Sequence, residues 1–287
     1  MRRIPSSALF GVDPVHDNLH YYETSWLLSP TLLASLRALI STYIFVSIFF
    51  IWGWDGTHGD RDAIGQSFSF FTWLTYWGLG FYTLFAAIHT ACYAHTGRSV
   101  LFDRWPRALR AMHGILYTTI TVYPPLVTLV FWIILFKPPF YKEVFTGWSN
   151  ISQHGLNSLY AILEIALATT APHPWIYIPF LILFLLLYLC VAYITVHTEG
   201  FYAYSFLDIK TNGSSLVTGY CFGILAAILV IFLVTWGLIW LRNWLVKGRI
   251  KRSARDPLYG QDRCRGLEAG GQFGVKGEPC EMKHVQV

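Results

Sequence analysis

The fold class this sequence predicts is all-α: a polytopic membrane helix bundle of about six transmembrane helices. Three observations predict it. Of 287 residues, 54% are hydrophobic and only 13% are charged, whereas a soluble domain carries about a quarter of its residues as Asp, Glu, Lys and Arg. Mean hydropathy is +0.45. The apolar residues are gathered into six segments of membrane-spanning length: 31–52, 68–94, 109–136, 150–171, 175–197 and 216–246. Helices are the expected form, because hydrocarbon offers no partner to an open strand edge. This composition argues against a soluble enzyme, a disordered chain or a nucleic-acid binder. Much of the net charge of +5 sits in one tail, so no nucleic-acid partner is expected. Membrane lipids are.

Residues 1–30 read as a cytoplasmic N-terminal segment, 31–246 as the transmembrane domain and 247–287 as a disordered basic cytoplasmic tail. The N-terminus lacks the apolar core of a cleaved signal, so the first helix is expected to act as a retained anchor. Arg98, Arg104 and Arg107 follow segment two, and Lys247, Arg249, Lys251, Arg252 and Arg255 follow segment six. The alternate loops are poorer in basic residues, which places both termini on the cytoplasmic side. The sequon Asn212-Gly213-Ser214 then falls in an external or lumenal loop. Arg37 is expected to snorkel to the interface. Trp148, Trp175, Tyr202 and Trp244 mark span ends as an aromatic belt does. The five cysteines form neither a disulfide framework nor a zinc knuckle, and no metal or cofactor is expected.

Segment four, ISQHGLNSLYAILEIALATTA, is the most polar. At 100° per residue His154, Asn157, Ala161 and Glu164 share about a third of the circumference. Such a stripe must be paired or wet inside a membrane. It is either packing glue between helices or part of a site. In segment two, Thr75, Tyr82 and His89 recur every seven residues, with Gly78 and Ala86 near that face to allow close helix approach. A lone membrane threonine ordinarily bonds a carbonyl one turn back. Depth gives Thr75 a second reading. At 1.5 Å per residue it lies about 10 Å into its helix, and His154 about 6 Å into its own, below the same interface. A hydroxyl beside an imidazole at that depth can do acyl chemistry, with the imidazole as general base.

No G-x-S-x-G, H-E-x-x-H or P-loop pattern is present. Two rival readings use the same residues. In one, His89 with His113 and His154 with His197 form two bis-histidine haem sites across the bundle. In the other the protein is a scaffold or signalling protein and the polar stripe only holds helices together.

Four stretches carry a resemblance: FFTWLTYWGLGFY (70–82), VFWIIL (130–135), NISQHGLNSLYAILEI (150–165) and GFYAYSFLD (200–208). In order and spacing they resemble the androgen-induced and androgen-dependent family of multipass membrane proteins, with its rolling-stone-like relatives, over roughly residues 70–245. The resemblance implies a threonine-type membrane hydrolase of lipid esters, such as fatty acid esters of hydroxy fatty acids. Thr75 in LTYW matches the family's nucleophile and His154 its base. Tyr202, Tyr204, Phe206, Leu207 and Asp208 match an aromatic and acidic element. Tyr82, Asn157, Glu164, Tyr202 and Asp208 are then expected to support the site or bind substrate. Two positions depart from the hydrolases: Ile151 stands where they carry a second His, and Asn157 follows the rolling-stone-like pattern.

Overall fold

A computed structural model describes Phe10, residues 20–59 and residues 61–253, the side chains of 248–253 excepted. Of the tail expected over 247–287, the part beyond residue 253 lies outside the described residues, as does most of the N-terminal segment. The described residues are helical and contain no strand beyond one isolated bridge, Ser25 to Ala168.

Helix α1 (Pro30–Thr57) begins with Ser29 as N-cap, its Oγ accepting from the Leu32 N–H, and with Pro at the first helical position, where its missing N–H costs nothing. The short α2 (Asp62–Gln66) leads into α3 (Phe71–Thr96), which Gly97 closes in the left-handed conformation. The short α4 (Val100–Arg104) precedes α5 (Arg107–Val130), which runs on as a π turn over Phe131–Leu135. The next rod is α6 (Val144–Ile151), a second π turn over Ser152–Leu156, and α7 (Asn157–Leu167). Helices α8 (Ile178–Glu199) and α9 (Ile209–Ser253) complete the described chain, with a break in α9 at Gly213, whose φ is +74°. α9 stays helical past the tail boundary expected at 246.

Buried positions on α1 step by threes and fours through Leu33, Arg37, Ile40, Ile44, Ser47 and Ile51. Those on α3 do the same through Thr72, Tyr76, Leu79, Thr83, Ala86, Thr90 and Tyr93. Each stripe keeps one side of its helix on its neighbour, and the two supply Ile40, Ile44, Ile48, Tyr76, Leu79 and Ala86 to one core cluster. α1 packs tightly on α3 at Gly80, where a Cβ would lie 2.9 Å from Ile44 Cγ2; at Gly78, expected to play this part, a Cβ would meet nothing within 4 Å.

Four helical segments are long and apolar enough to cross a membrane: Pro30–Thr57, Arg107–Leu135, Trp175–Glu199 and Ile209–Lys247. The chain is on that ground a multi-pass membrane protein. The other two expected spans, α3 and the α6–α7 rod, are helical but fall outside this group. Their threonines, tyrosines, tryptophans and histidines lower the hydropathy, and they carry most of the internal polar contacts described below.

The ends of the bundle are fixed by contacts. Ala168, Ser99 and Tyr177 meet the N-terminal segment at one end, through the Ser25–Ala168 bridge, the His20–Ser99 bond and the Tyr177–Phe10 bond. At the other end Phe50 packs on Trp148, Trp52 on Phe68, and Tyr204 on Phe70. Asn212, expected in a loop, lies in the first turn of α9 and so belongs to this second end.

Candidate functional site

At the second end, the first turn of α3 meets the two π turns. A π turn inserts one residue into a helix, displaces a side chain and frees a carbonyl, and such turns recur at functional sites. Phe131 opens one π turn and His154 lies at the centre of the other. Their rings stack 3.7 Å apart, and Trp132 Nε1 donates to the His154 carbonyl at 3.0 Å. The Asn150 carbonyl lies 3.2 Å from His154 Nδ1. A carbonyl only accepts, so this bond assigns the ring proton to Nδ1 and leaves Nε2 as an acceptor. That Nε2 faces Thr72 Oγ1 at 3.4 Å.

Thr72 is the second residue of α3, and Phe70 provides no side-chain cap. The opening N–H groups of a helix have no intrahelical acceptor. The Thr72 N–H reaches the Tyr204 hydroxyl at 3.4 Å, and the Thr72 side chain bonds the same phenol. Tyr204 is sunk among Phe70, Tyr188 and Phe206. Desolvation there raises its phenol above the usual tyrosine range, so it stays a neutral hydroxyl that can donate. Below this group lies a cavity of about 240 Å³, lined by Thr72, Phe131, Leu185, Phe206 and Leu225 among others. The Thr72 and Tyr204 hydroxyls thus line an apolar chamber, and the unprotonated imidazole nitrogen of His154 faces Thr72 from outside that lining.

The expected contact of Thr75 with His154 is not the one formed. Thr75 Oγ1 donates to the Thr72 carbonyl at 2.9 Å, and its side chain lines a different, lateral cavity. The hydroxyl one turn earlier takes the place beside the imidazole, because α3 starts at Phe71 and its buried stripe runs through 72, 76 and 79 while 75 flanks it. The stripe itself was legible in the sequence as a three–four alternation from Thr72 to Tyr93. The reading from Thr75, Tyr82 and His89 followed a neighbouring face.

Glu164 and Tyr82 belong to a second cluster, deeper toward the other end. Glu164 Oε2 accepts from Arg37 Nε at 3.1 Å, its Oε1 pairs with Arg37 Nη2, and Tyr82 donates to Oε1 at 3.2 Å. Arg37 also donates to Thr90 Oγ1 at 2.5 Å and to the Tyr22 carbonyl at 2.7 Å. Arg37 is 1% exposed. The snorkelling expected of it is replaced by a fully satisfied buried ion pair, which makes burial of the charge tolerable.

The remaining expected residues hold structure together. Asn157 Oδ1 accepts from Thr128 Oγ1 at 3.1 Å and from the Ser158 N–H at 2.6 Å, tying α7 to α5. Asp208 caps α9, accepting from the Lys210 N–H at 2.9 Å and holding the Thr211 hydroxyl. These bonds hold its carboxyl below the usual range. Tyr202 packs on Tyr193 and has no contact with Thr72 or His154 among the described bonds.

The paired haem sites do not fit. His89 and His113 lie with ring centroids 5.8 Å apart, but Phe102 is wedged 4.1 and 4.9 Å from the two rings, where a porphyrin plane would need to lie. His154 is covered by Phe131, and His197 sits exposed in the last turn of α8. Among the described residues no group of three or more His, Cys, Asp or Glu side chains could hold a metal ion. Comparison with known proteins found no matching family model, no matching curated protein and no matching solved structure.

Proposed function

We propose that the protein is an intramembrane acyl-ester hydrolase of the threonine type, with Thr72 as nucleophile and His154 as general base. The observation that carries this reading is the Thr72 Oγ1 to His154 Nε2 contact at the head of an apolar cavity. The resemblance noted above favours the same reaction class but matches its nucleophile to Thr75, one turn after the hydroxyl that faces His154.

The chemistry runs in two halves. Thr72 Oγ1 attacks the ester carbonyl while His154 Nε2 takes its proton. The C=O electrons move onto oxygen, and the oxyanion is met by the opening N–H groups of α3, which have no acceptor within the helix, and by the Tyr204 hydroxyl. Donors of this kind act where charge develops, and a helix N-terminus favours negative charge. Collapse breaks the ester C–O bond, and the leaving alkoxide takes the proton from His154, giving an alcohol and an acyl-threonine. Water then repeats the sequence, with His154 removing its proton, and releases the acid. The Nε2–Oγ1 separation is at the long limit of a hydrogen bond, and such contacts commonly tighten when substrate is bound.

Six spans with both termini on the cytoplasmic side accompany this reading. α3 and the α6–α7 rod then cross the membrane inside the bundle, shielded by the more apolar helices. The site lies just below the external or lumenal interface, open to water above and acyl chains from the side. Fatty acid esters of hydroxy fatty acids are the substrate class that the resemblance favours.

The test is labelling of the purified protein with an alkyl fluorophosphonate, followed by mapping of the modified peptide and a fatty-ester hydrolysis assay. Labelling on Thr72, lost in Thr72→Ala and His154→Ala and retained in Thr75→Ala, is expected. Labelling on Thr75 would restore the other assignment, and equal turnover in all variants would end the hydrolase reading. The rival scaffold reading draws on Asn157 and Glu164, which do act as ties between helices. It requires that Thr72→Ala and His154→Ala alter stability alone.

A further inference from the structure

Two cavities lie on either side of the first turn of α3. The smaller is the 240 Å³ chamber below Thr72. The larger, about 750 Å³, runs between α3, α5 and α8 past Thr75, Thr119 and Phe184. Only Phe71 and Tyr188 line both. Their rings lie 5.0 Å apart, and Phe71 also meets Tyr123 edge-on at 5.1 Å. The two tyrosines are anchored: Tyr188 donates to the Ser69 carbonyl at 3.0 Å and Tyr123 to the Leu181 carbonyl at 2.9 Å. Phe71 has no polar anchor; it is held by these ring contacts and by packing on the apolar cluster that includes Leu126 and Leu181.

The larger cavity opens sideways. Phe85, Met112, Phe184 and Leu187 on its rim are all exposed large hydrophobics, Met112 at 61%. In a membrane protein such a surface faces lipid tails. The occupant it fits is therefore an unbranched hydrocarbon chain.

We propose that Phe71 is a gate between these cavities and sets the length of acyl chain bound beneath Thr72. With the ring in place, a chain entering the smaller cavity is stopped by the Phe71–Tyr188 wall. With the ring reduced, the chain continues into the lateral groove and longer chains gain buried methylene groups. This rests on the hydrolase reading for its acyl substrate, but chain binding is separable from turnover.

The experiment uses the full-length protein in detergent micelles, as wild type, Phe71→Ala, Phe71→Leu and Phe71→Trp, with thermal melting as a check on folding. Each is equilibrated with an equimolar mixture of saturated fatty acids from octanoic to stearic, and the retained acids are quantified by mass spectrometry. Hydrolysis of the matching 4-nitrophenyl esters is measured in parallel. In Phe71→Ala the retained stearate-to-octanoate ratio should rise by about tenfold or more, the gain that about two newly buried methylene groups give. Phe71→Leu should move the same way by less, and Phe71→Trp the opposite way. If Phe71→Ala does not fold, the opposed shifts of the Leu and Trp variants carry the test. Shifted retention with no ester turnover in any form would keep the gate and remove the hydrolase. An unchanged retention profile in folded variants, with turnover intact, would overturn the gate and leave the hydrolase standing.

Discussion

Thr72 sits where a helix begins, so its backbone N–H has no acceptor within α3 and its hydroxyl projects toward the neighbouring rods. Thr75 is one turn inside, and its hydroxyl is spent on the Thr72 carbonyl. The same side-chain type therefore has two different chemical positions three residues apart. Thr72→Ser should keep fluorophosphonate labelling, because the hydroxyl survives. Thr72→Val should abolish it while leaving the melting temperature close to wild type. At the other cluster the expectation reverses. Glu164→Ala leaves the Arg37 guanidinium buried without its counter-charge, and removal of one partner from such a pair costs about 3–5 kcal/mol. Detergent-solubilised Glu164→Ala should unfold at markedly lower temperature than any Thr72 variant.

At the scale of elements, the α1–α3 contact depends on the absence of a side chain at one position. A Cβ on residue 80 would meet Ile44 Cγ2 at 2.9 Å, and Ile44 is wholly buried with no room to retreat. Overpacking of this kind costs about 1–3 kcal/mol. Gly80→Ala should lower the thermal midpoint by that measure. Gly78→Ala, which meets no neighbour, should be neutral or gain up to about 1 kcal/mol from the helix preference of alanine over glycine. The two π turns make a comparable pair. Trp132→Phe removes the donor to the His154 carbonyl but keeps the ring packing. It should lower ester turnover with little change in the bound-chain profile.

For the whole molecule, His173 joins parts of the bundle that are distant in sequence. It lies in the connection before α8, and its ring is bonded by Thr118 at 3.1 Å and Thr121 at 3.0 Å, both on α5. Burial, with a smaller contribution from the Arg242 charge, lowers its pKa from 6.5 to about 3. The folded state therefore resists protonation that the unfolded chain accepts. The stabilisation is complete above pH 6.5 and is lost progressively as pH falls from 6.5 toward 3. At about pH 5 this amounts to about 2 kcal/mol. Melting of the wild type should fall across that interval, and His173→Gln should flatten the dependence.

Composition and periodicity carried the all-α class, the membrane setting and the positions of six helical segments, since hydrocarbon leaves the backbone few other solutions. They also marked the polar stripe from His154 to Glu164 as costly to bury. What they did not carry was which polar side chain meets which. Arg37 looked like an interfacial charge because its depth was counted along one helix, and its pairing with Glu164 needed a second. Thr75 and Thr72 are both compatible with the helical pattern, and the start of α3 at Phe71, together with the π turn that re-aims His154, selects between them. Sequence determined which segments are helices and which residues are costly to bury in lipid. Tertiary structure alone decided how those costs are met, because a hydrogen bond between helices depends on helix rotation and register to within a fraction of a turn, and local sequence leaves both free.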